Sequence, residues 1–134
     1  MVNKLEHIGI AVQNLEVSAE LFTRLLGVSP YKQESVESEG VNTLFFQVGE
    51  TKIELLEATK PDSPIAKFLE KKGEGIHHLA FDVTDIYTEM KRMEEEGFRL
   101  LNPVPKDGAD NKIICFLHPK ETNGVLVELC QEKP

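Results

Sequence analysis

Apolar and polar residues follow one pattern that occurs twice along the chain. In each occurrence an alternating strand, at residues 5–12 and again at 75–83, precedes an amphipathic helix and three further strands. The repeat therefore predicts two tandem βαβββ modules, at about residues 4–58 and 75–132. The further strands are predicted at residues 28–36, where Pro30 interrupts the strand pattern, and at 41–48 and 52–56 in the first module. In the second module they are predicted at 98–101, 112–117 and 125–131, with a loop at residues 102–111.

Capping residues mark the helix boundaries in both modules. Asn14 and Asp85 precede the two helices as N-caps, and Gly27 and Gly97 follow them. Between the modules, a serine–proline pair predicts a short connector helix at about residues 63–72. The side chains expected to face inward from the two module helices are Leu15, Phe22, Leu25, Leu26, Ile86, Met90 and Met93.

Two modules of this kind can join their strands into one sheet. We therefore predict an α+β fold in which residues 1–134 form a single domain. Its expected core is one curved, cup-like eight-stranded mixed sheet with the helices outside. A chain of 134 residues is long enough to bury such a core without disulfides.

Composition narrows the classes of partner. The net charge of −8 argues against nucleic acid, because phosphate binding needs a basic surface. No apolar run approaches the ~18–20 residues of a membrane span, and strand pattern begins too early for a signal peptide. Cys115 and Cys130 lack zinc-type spacing, so we predict reduced core thiols in a cytoplasmic protein without nucleic-acid or membrane partners.

The repeat also duplicates a polar residue on each of two strands. His7 and His78 occupy matching positions on the first strands, and Glu54 and Glu128 occupy matching positions on the last strands. All four are expected on the inner face of the sheet. Two imidazoles and two carboxylates suit one divalent transition metal that keeps exchangeable positions for substrate oxygens.

Structural roles are the alternative for each of these residues. A lone histidine on a strand is more often structural than a ligand, and a lone glutamate is usually solvated. Core packing does not require a polar residue to recur, so the duplication favours a metal site. His77 has the opposite parity to His78 and is predicted to face the helix layer. For His118, which precedes a proline in a turn, a solvent-side position is as good an explanation as binding.

The paired modules resemble the vicinal oxygen chelate superfamily, which includes glyoxalase I and the extradiol dioxygenases. Within it, the chain resembles the methylmalonyl-CoA epimerase family over nearly its whole length. The connector and the His118-Pro119-Lys120 stretch are much more specific than the superfamily pattern. The resembling stretches are residues 4–12, 51–57, 62–69, 75–78, 116–120 and 124–129.

This resemblance implies an isomerase that interconverts (R)- and (S)-methylmalonyl-CoA by removing and returning the C2 proton through a metal-stabilised enolate. It implies metal ligands at His7, His78 and Glu128, with Glu54 at a fourth position that is Gln in some members. It also implies a coenzyme A thioester substrate, a homodimer and a cobalt-type divalent ion. Zinc, nickel, manganese and magnesium are the alternative metals.

The sequence departs from the family at two places. Some members place a glutamate base at the position of Thr43, and threonine cannot replace it as a base. A loop that usually reads Gly-Ala-His-Gly-Lys is here Gly108-Ala109-Asp110-Asn111-Lys112. We therefore predict that the two catalytic bases are Glu54 and Glu128.

Anionic substrate groups need local positive charge in an acidic chain. We expect Lys120 and Lys112 to bind substrate at the mouth of the cleft, and a solvated lysine is the alternative for each. Other functions stay open: a glyoxalase, an iron-dependent extradiol dioxygenase or a non-enzymatic small-ligand binding protein. An oxygen requirement would identify a dioxygenase, and a binding protein would usually lack the metal residues. A purely structural domain ranks last.

Overall fold

The computed structural model describes all residues from Met1 to Pro134. Its strands are β1 (Val2–Ala11), β2 (Lys32–Val36), β3 (Val41–Val48), β4 (Thr51–Ala58), β5 (Gly75–Val83), β6 (Lys106–Asp107), β7 (Lys112–Leu117) and β8 (Val127–Glu132). Its helices are α1 (Leu15–Leu26), α2 (Pro64–Lys72) and α3 (Ile86–Glu95), with short 3-10 turns at Glu37–Glu39 and Pro119–Glu121. No helix has both the length and the apolar composition that crossing a membrane requires.

The strands form one mixed sheet in the order β2-β3-β4-β1-β5-β8-β7-β6. β1 pairs with β4, and β5 pairs with β8, in parallel. Four further strand pairs are antiparallel: β2 with β3, β3 with β4, β6 with β7, and β7 with β8. Each module contributes a strand, a helix and three strands, and α2 connects the modules. The predicted α+β class with an eight-stranded mixed sheet is confirmed.

Two compact units make up the chain. We call His7–His77 the first unit, and Met1–Glu6 together with His78–Pro134 the second unit. The division falls inside β1 and β5, so the start of β1 belongs with module two rather than with module one. That residues 1–134 act as a single domain stays a prediction.

In the first unit, α1 packs on one face of the strands. Phe46 and Leu55 are fully buried there against Leu15 and Phe22. The helix begins where Asn14 caps it, and the Glu57 carboxylate accepts a hydrogen bond of 2.8 Å from the backbone N–H of its first residue. This face contains the bulky residues that the alternation of β1 predicts, Ile10 and Val12 among them.

In the second unit, α3 packs on the equivalent face. Ile86, Met90 and Met93 point inward as predicted, against Cys115 and other core residues. The Gln131 side chain accepts a 2.8 Å hydrogen bond from the backbone N–H that opens α3, which repeats the arrangement of the first unit. Both cysteines are free and buried, as expected, and burial is the main cause of their raised thiol pKa.

Three local predictions are wrong. Residues 98–101 form only one bridge, Leu100 with Leu117, because Gly97 at φ 95° and the proline at 103 limit the pairing. The short strand β6 lies instead in the predicted loop. β2 begins at Lys32 rather than at 28, since Pro30 has no N–H to donate. Leu25 of α1 is exposed rather than inward-facing.

Candidate active site

His7 and Glu54 form a buried pair in the first unit. His7 Nδ1 lies 3.0 Å from Glu54 Oε2. In the parallel register of β1 and β4, Glu54 is opposite Gly9, the residue two positions after His7. On the other side Glu54 is opposite the buried ring of Phe45 on β3. Side chains alternate along a strand, so the pair occupies the sheet face that does not carry α1.

His78 and Glu128 form the equivalent pair in the second unit. His78 Nε2 lies 3.4 Å from Glu128 Oε1. Glu128 is opposite Ala80, again two positions after the histidine, and opposite Phe116 on β7. The Phe116 ring meets the His78 imidazole edge to face, with 5.9 Å between centroids. The two units therefore build the same pair in the same register, on the face that does not carry the helix.

The chemistry of these donors fits a divalent metal ion. All four residues are at most 5% exposed. Burying an ionised carboxylate is unfavourable by several kcal/mol unless it is paired or coordinates a metal. A neutral imidazole nitrogen and a carboxylate oxygen are donors that zinc and neighbouring divalent transition metals accept. Each unit supplies one of each, and the smallest residues, Gly9 and Ala80, leave space beside the glutamates.

His77 faces away from His78 and lies against α2. Its ring meets Phe68 edge to face at 5.0 Å. Burial, assisted by the nearby charge of Lys72, lowers the pKa of His77 from 6.5 to about 4. The ring is therefore neutral at physiological pH and packs as an apolar group, which agrees with the parity of the sequence.

The two predicted substrate-binding lysines lie in different environments. Lys112 opens β7 and is only 7% exposed, so the solvated alternative is wrong for this residue. Its parity places it on the same face as Phe116 and Glu128. Lys120 is exposed in the 3-10 turn, where its backbone N–H donates to His118 Nδ1 at 3.0 Å. His118 thus has a structural role as the cap of this turn. Substrate binding by either lysine stays a prediction.

Residues 6–116 match the family model of the glyoxalase/bleomycin resistance protein/dioxygenase superfamily. The ethylmalonyl-CoA/methylmalonyl-CoA epimerase of Cereibacter sphaeroides is 43% identical over 98% of this chain and 99% of its own length. A crystal structure of methylmalonyl-CoA epimerase from Mycobacterium tuberculosis superposes with a TM-score of 0.95 at 36% identity, covering 99% of this chain and 90% of that one.

A structure of Streptomyces coelicolor methylmalonyl-CoA epimerase in complex with 2-nitronate-propionyl-CoA gives a TM-score of 0.94 at 33% identity, over 98% of this chain and 96% of that one. The chain belongs to the methylmalonyl-CoA epimerase family of this superfamily. As a member of the epimerase family it is an enzyme of the isomerase class. The sequence resemblance is thereby confirmed.

The position that carries a glutamate in some epimerases of the family is Thr43 in this chain. It lies on β3, fully buried, with the same parity as Phe45 and therefore on the face of Glu54. Threonine supplies no carboxylate at this position, and the assignment of the bases to Glu54 and Glu128 stays a prediction.

Sequence reasoning missed the two phenylalanines that stand beside the glutamates. Phe45 and Phe116 occupy matching positions on the third strands of their modules, each directly across from a site glutamate. Their recurrence in both modules is the sequence feature that could have identified them. An apolar residue on a strand is so common in cores that the duplication did not single it out.

Proposed function

We propose that this epimerase interconverts the (R) and (S) forms of methylmalonyl-CoA. The observation that carries the proposal is the buried histidine–glutamate pair, built in the same register in both units. The family membership supports the reaction type, and the names of the relatives support the substrate. A homodimer and a cytoplasmic location stay predictions.

We infer that His7, Glu54, His78 and Glu128 together hold one divalent ion, with cobalt as the first candidate. Such an ion supplies Lewis acidity, which stabilises negative charge on a substrate oxygen. The histidines contribute as neutral ligands, and whichever glutamate is ionised offsets part of the charge of the cation. The burial of all four side chains excludes bulk water from the donors, which strengthens their electrostatic interactions.

The protein's own share of the chemistry is proton transfer. At the start of a turnover one glutamate is ionised and the other is protonated. The ionised glutamate takes the C2 proton, and the electron pair of the broken C–H bond delocalises into the thioester carbonyl. The protonated glutamate then gives its proton to the opposite side of C2. The second epimer forms, and the two glutamates have exchanged protonation states.

Glu54 and Glu128 are suited to this exchange. Both are carboxylates on strands, and each has a buried or half-buried phenylalanine as its cross-strand neighbour. The strand holds the acid in place, and the ring excludes water from it. General acid–base catalysis by a positioned side chain contributes about 10²–10⁴-fold in rate per group. Thr43 cannot take part, because its hydroxyl is not a base at neutral pH.

The test follows hydrogen at C2. Methylmalonyl-CoA is incubated in D2O with the enzyme, with and without EDTA, and proton NMR measures exchange while a chiral assay measures epimerisation. We expect both activities in the wild type and loss of both in EDTA. Glu54→Gln and Glu128→Gln should each exchange mainly one epimer and epimerise poorly, because Gln can stay a ligand but cannot take a proton.

Glu50→Gln is the matched control, since Glu50 is exposed in the turn between β3 and β4. Metal content is measured for every variant, so that lost metal is not mistaken for a lost base. Near-wild-type epimerisation by metal-loaded Glu54→Gln would refute Glu54 as a base and leave it only a ligand. Full activity in EDTA would refute the proposal that the reaction depends on a divalent metal ion.

A further inference from the structure

Apolar side chains surround the site glutamate of the second unit. We call Ala80, Ile114, Phe116 and Cys130, which pack together there, the apolar patch. Ala80 and Phe116 are the cross-strand neighbours of Glu128. Ile114 precedes Phe116 by two positions on β7, so it shares that face of the sheet and is the diagonal neighbour of Glu128, about 7–8 Å away.

The first unit is built differently at the matching positions. Leu56 follows the site glutamate by two positions, as the cysteine does in the second unit, and it is buried against Ile65 of α2. Thr43, which is opposite Leu56 and matches Ile114 in the repeat, is polar. The residues of the apolar patch, in contrast, all come from strands. The second unit therefore surrounds its glutamate with an apolar surface to which no helix contributes.

Gly108 fixes the position of Ile114. A β-carbon at position 108 would lie 2.8 Å from Ile114 Cγ2 and 3.0 Å from its Cδ1, so the backbone of Gly108 already lies against this side chain. Gly108 directly follows β6, and β7 lies between β6 and β8 in the sheet. Ile114 therefore cannot withdraw toward β6, and a group that pushed it from that side would move it toward β8 and Glu128.

We propose that Ile114 limits the length of the alkyl group that the substrate carries at C2. This inference rests on the proposed function, in which Glu128 reaches the proton on C2. That carbon bears a carboxylate, a thioester carbonyl, a hydrogen and one apolar group, the methyl. Because the methyl is one bond from C2, it lies within reach of the side chains that flank Glu128, and the hydrophobic effect favours the apolar ones. Ile114 is only 7% exposed and is fixed by Gly108, so it accepts a methyl group and excludes a longer chain.

The experiment compares methylmalonyl-CoA with ethylmalonyl-CoA, which is longer by one methylene. One methylene in an apolar pocket changes kcat/KM by about 10- to 200-fold, and we expect the wild type to favour the methyl substrate within this range. Ile114→Val removes one methylene, so it should raise kcat/KM for ethylmalonyl-CoA relative to methylmalonyl-CoA by about 5- to 10-fold. Ile113→Val is the matched control, because the neighbouring Ile113 packs with the α3 core. It should leave the ratio unchanged.

Gly108→Ala tests the same contact in the opposite direction. Gly108 does not have a positive φ, so alanine can adopt its backbone conformation. The added methyl should push Ile114 toward β8 and lower the ethyl-to-methyl ratio of kcat/KM by about 5-fold. In the double variant Gly108→Ala/Ile114→Val, the smaller side chain leaves space for that methyl, and the ratio should return toward the wild-type value. Thermal unfolding confirms that each variant is folded.

Calorimetry with the two thioesters gives an affinity ratio that does not depend on turnover, and Ile114→Val should shift it toward ethylmalonyl-CoA. Unchanged ratios in Ile114→Val would overturn the proposal. An equal shift in Ile113→Val, or a shift toward the ethyl substrate in Gly108→Ala, would overturn it too. A wild type that binds both thioesters but epimerises neither, together with the expected shift of affinity in Ile114→Val, would refute the proposed function alone.

Discussion

Adjacent histidines with opposite roles allow a sharp test of the site. We expect His78→Ala to remove most of the bound metal, and His7→Ala to do the same, because each removes one proposed ligand. His77→Ala should keep the metal, since the His77 ring packs on Phe68 and not beside Glu128. Alanine at position 78 should therefore weaken metal binding, whereas alanine at the neighbouring position 77 should lower stability.

The size of each effect can be worked from the contacts. Structural zinc sites with four ligands bind with about 10–16 kcal/mol, so one ligand of four accounts for roughly 3 kcal/mol, or about 100-fold in affinity. His77→Ala loses an edge-to-face ring pair worth about 0.5–1.5 kcal/mol beyond its burial. In a domain of this size that lowers Tm by roughly 2–6 °C.

Competition with a chelator of known affinity measures the metal constants of wild type and the three variants, and thermal unfolding of the metal-free proteins measures stability. Folded, metal-free starting material is required for each variant, because a cavity at position 78 also destabilises the core. If His77→Ala lost about 100-fold in metal affinity while His78→Ala kept it, the assignment of strand faces would be refuted, together with the proposed ligand set.

Two further predictions concern pH and substrate binding. The folded pKa of His77, about 4, lies below its unfolded value of 6.5, so its contribution to stability is complete above pH 6.5 and is lost as pH falls through 4. The free energy of unfolding, measured with urea at pH values from 7 to 4, should therefore fall less with pH in His77→Phe than in the wild type, by at most about 3 kcal/mol. The same pH dependence in both proteins would contradict this prediction. Lys120→Ala should raise KM for methylmalonyl-CoA more than it lowers kcat, and an unchanged KM would leave Lys120 without a substrate role.

Strand parity and the internal repeat are sufficient to predict that the two histidines and the two glutamates lie on the sheet face away from the helices. His7 lies on the face opposite Ile10 and Val12 because side chains alternate, and the same rule separates His77 from His78. Parallel pairing of the first and last strands of each module then brings His and Glu together. Alternation along a strand predicts its faces well, because a shift of one residue in strand register would expose the apolar side chains to solvent.

Edges of the sheet were not predictable in the same way. β6 has two residues, Lys106 and Asp107, too few to show alternation, and a proline directly precedes them. Residues 98–101 have strand composition, yet only Leu100 forms a bridge. Lys112 is predicted to bind substrate because anionic substrate groups need local positive charge, and that prediction is untested. Its 7% exposure could not be predicted, since a charged residue is usually exposed. Such outcomes depend on tertiary packing, which local pattern does not contain.

The side chains that close the helix N-termini have an evolutionary consequence. Glu57 and Gln131 each lie three positions after the site glutamate and bind the first N–H of their own module's helix. Each half of the chain therefore contains both a site glutamate and a side chain that binds the strand of that glutamate to the N-terminus of the helix of the same module. Because each half has its own contact of this kind, a substitution of one site glutamate leaves the helix–strand contact of the other half unchanged. A duplicated ancestor with this property could acquire two chemically different halves by single substitutions.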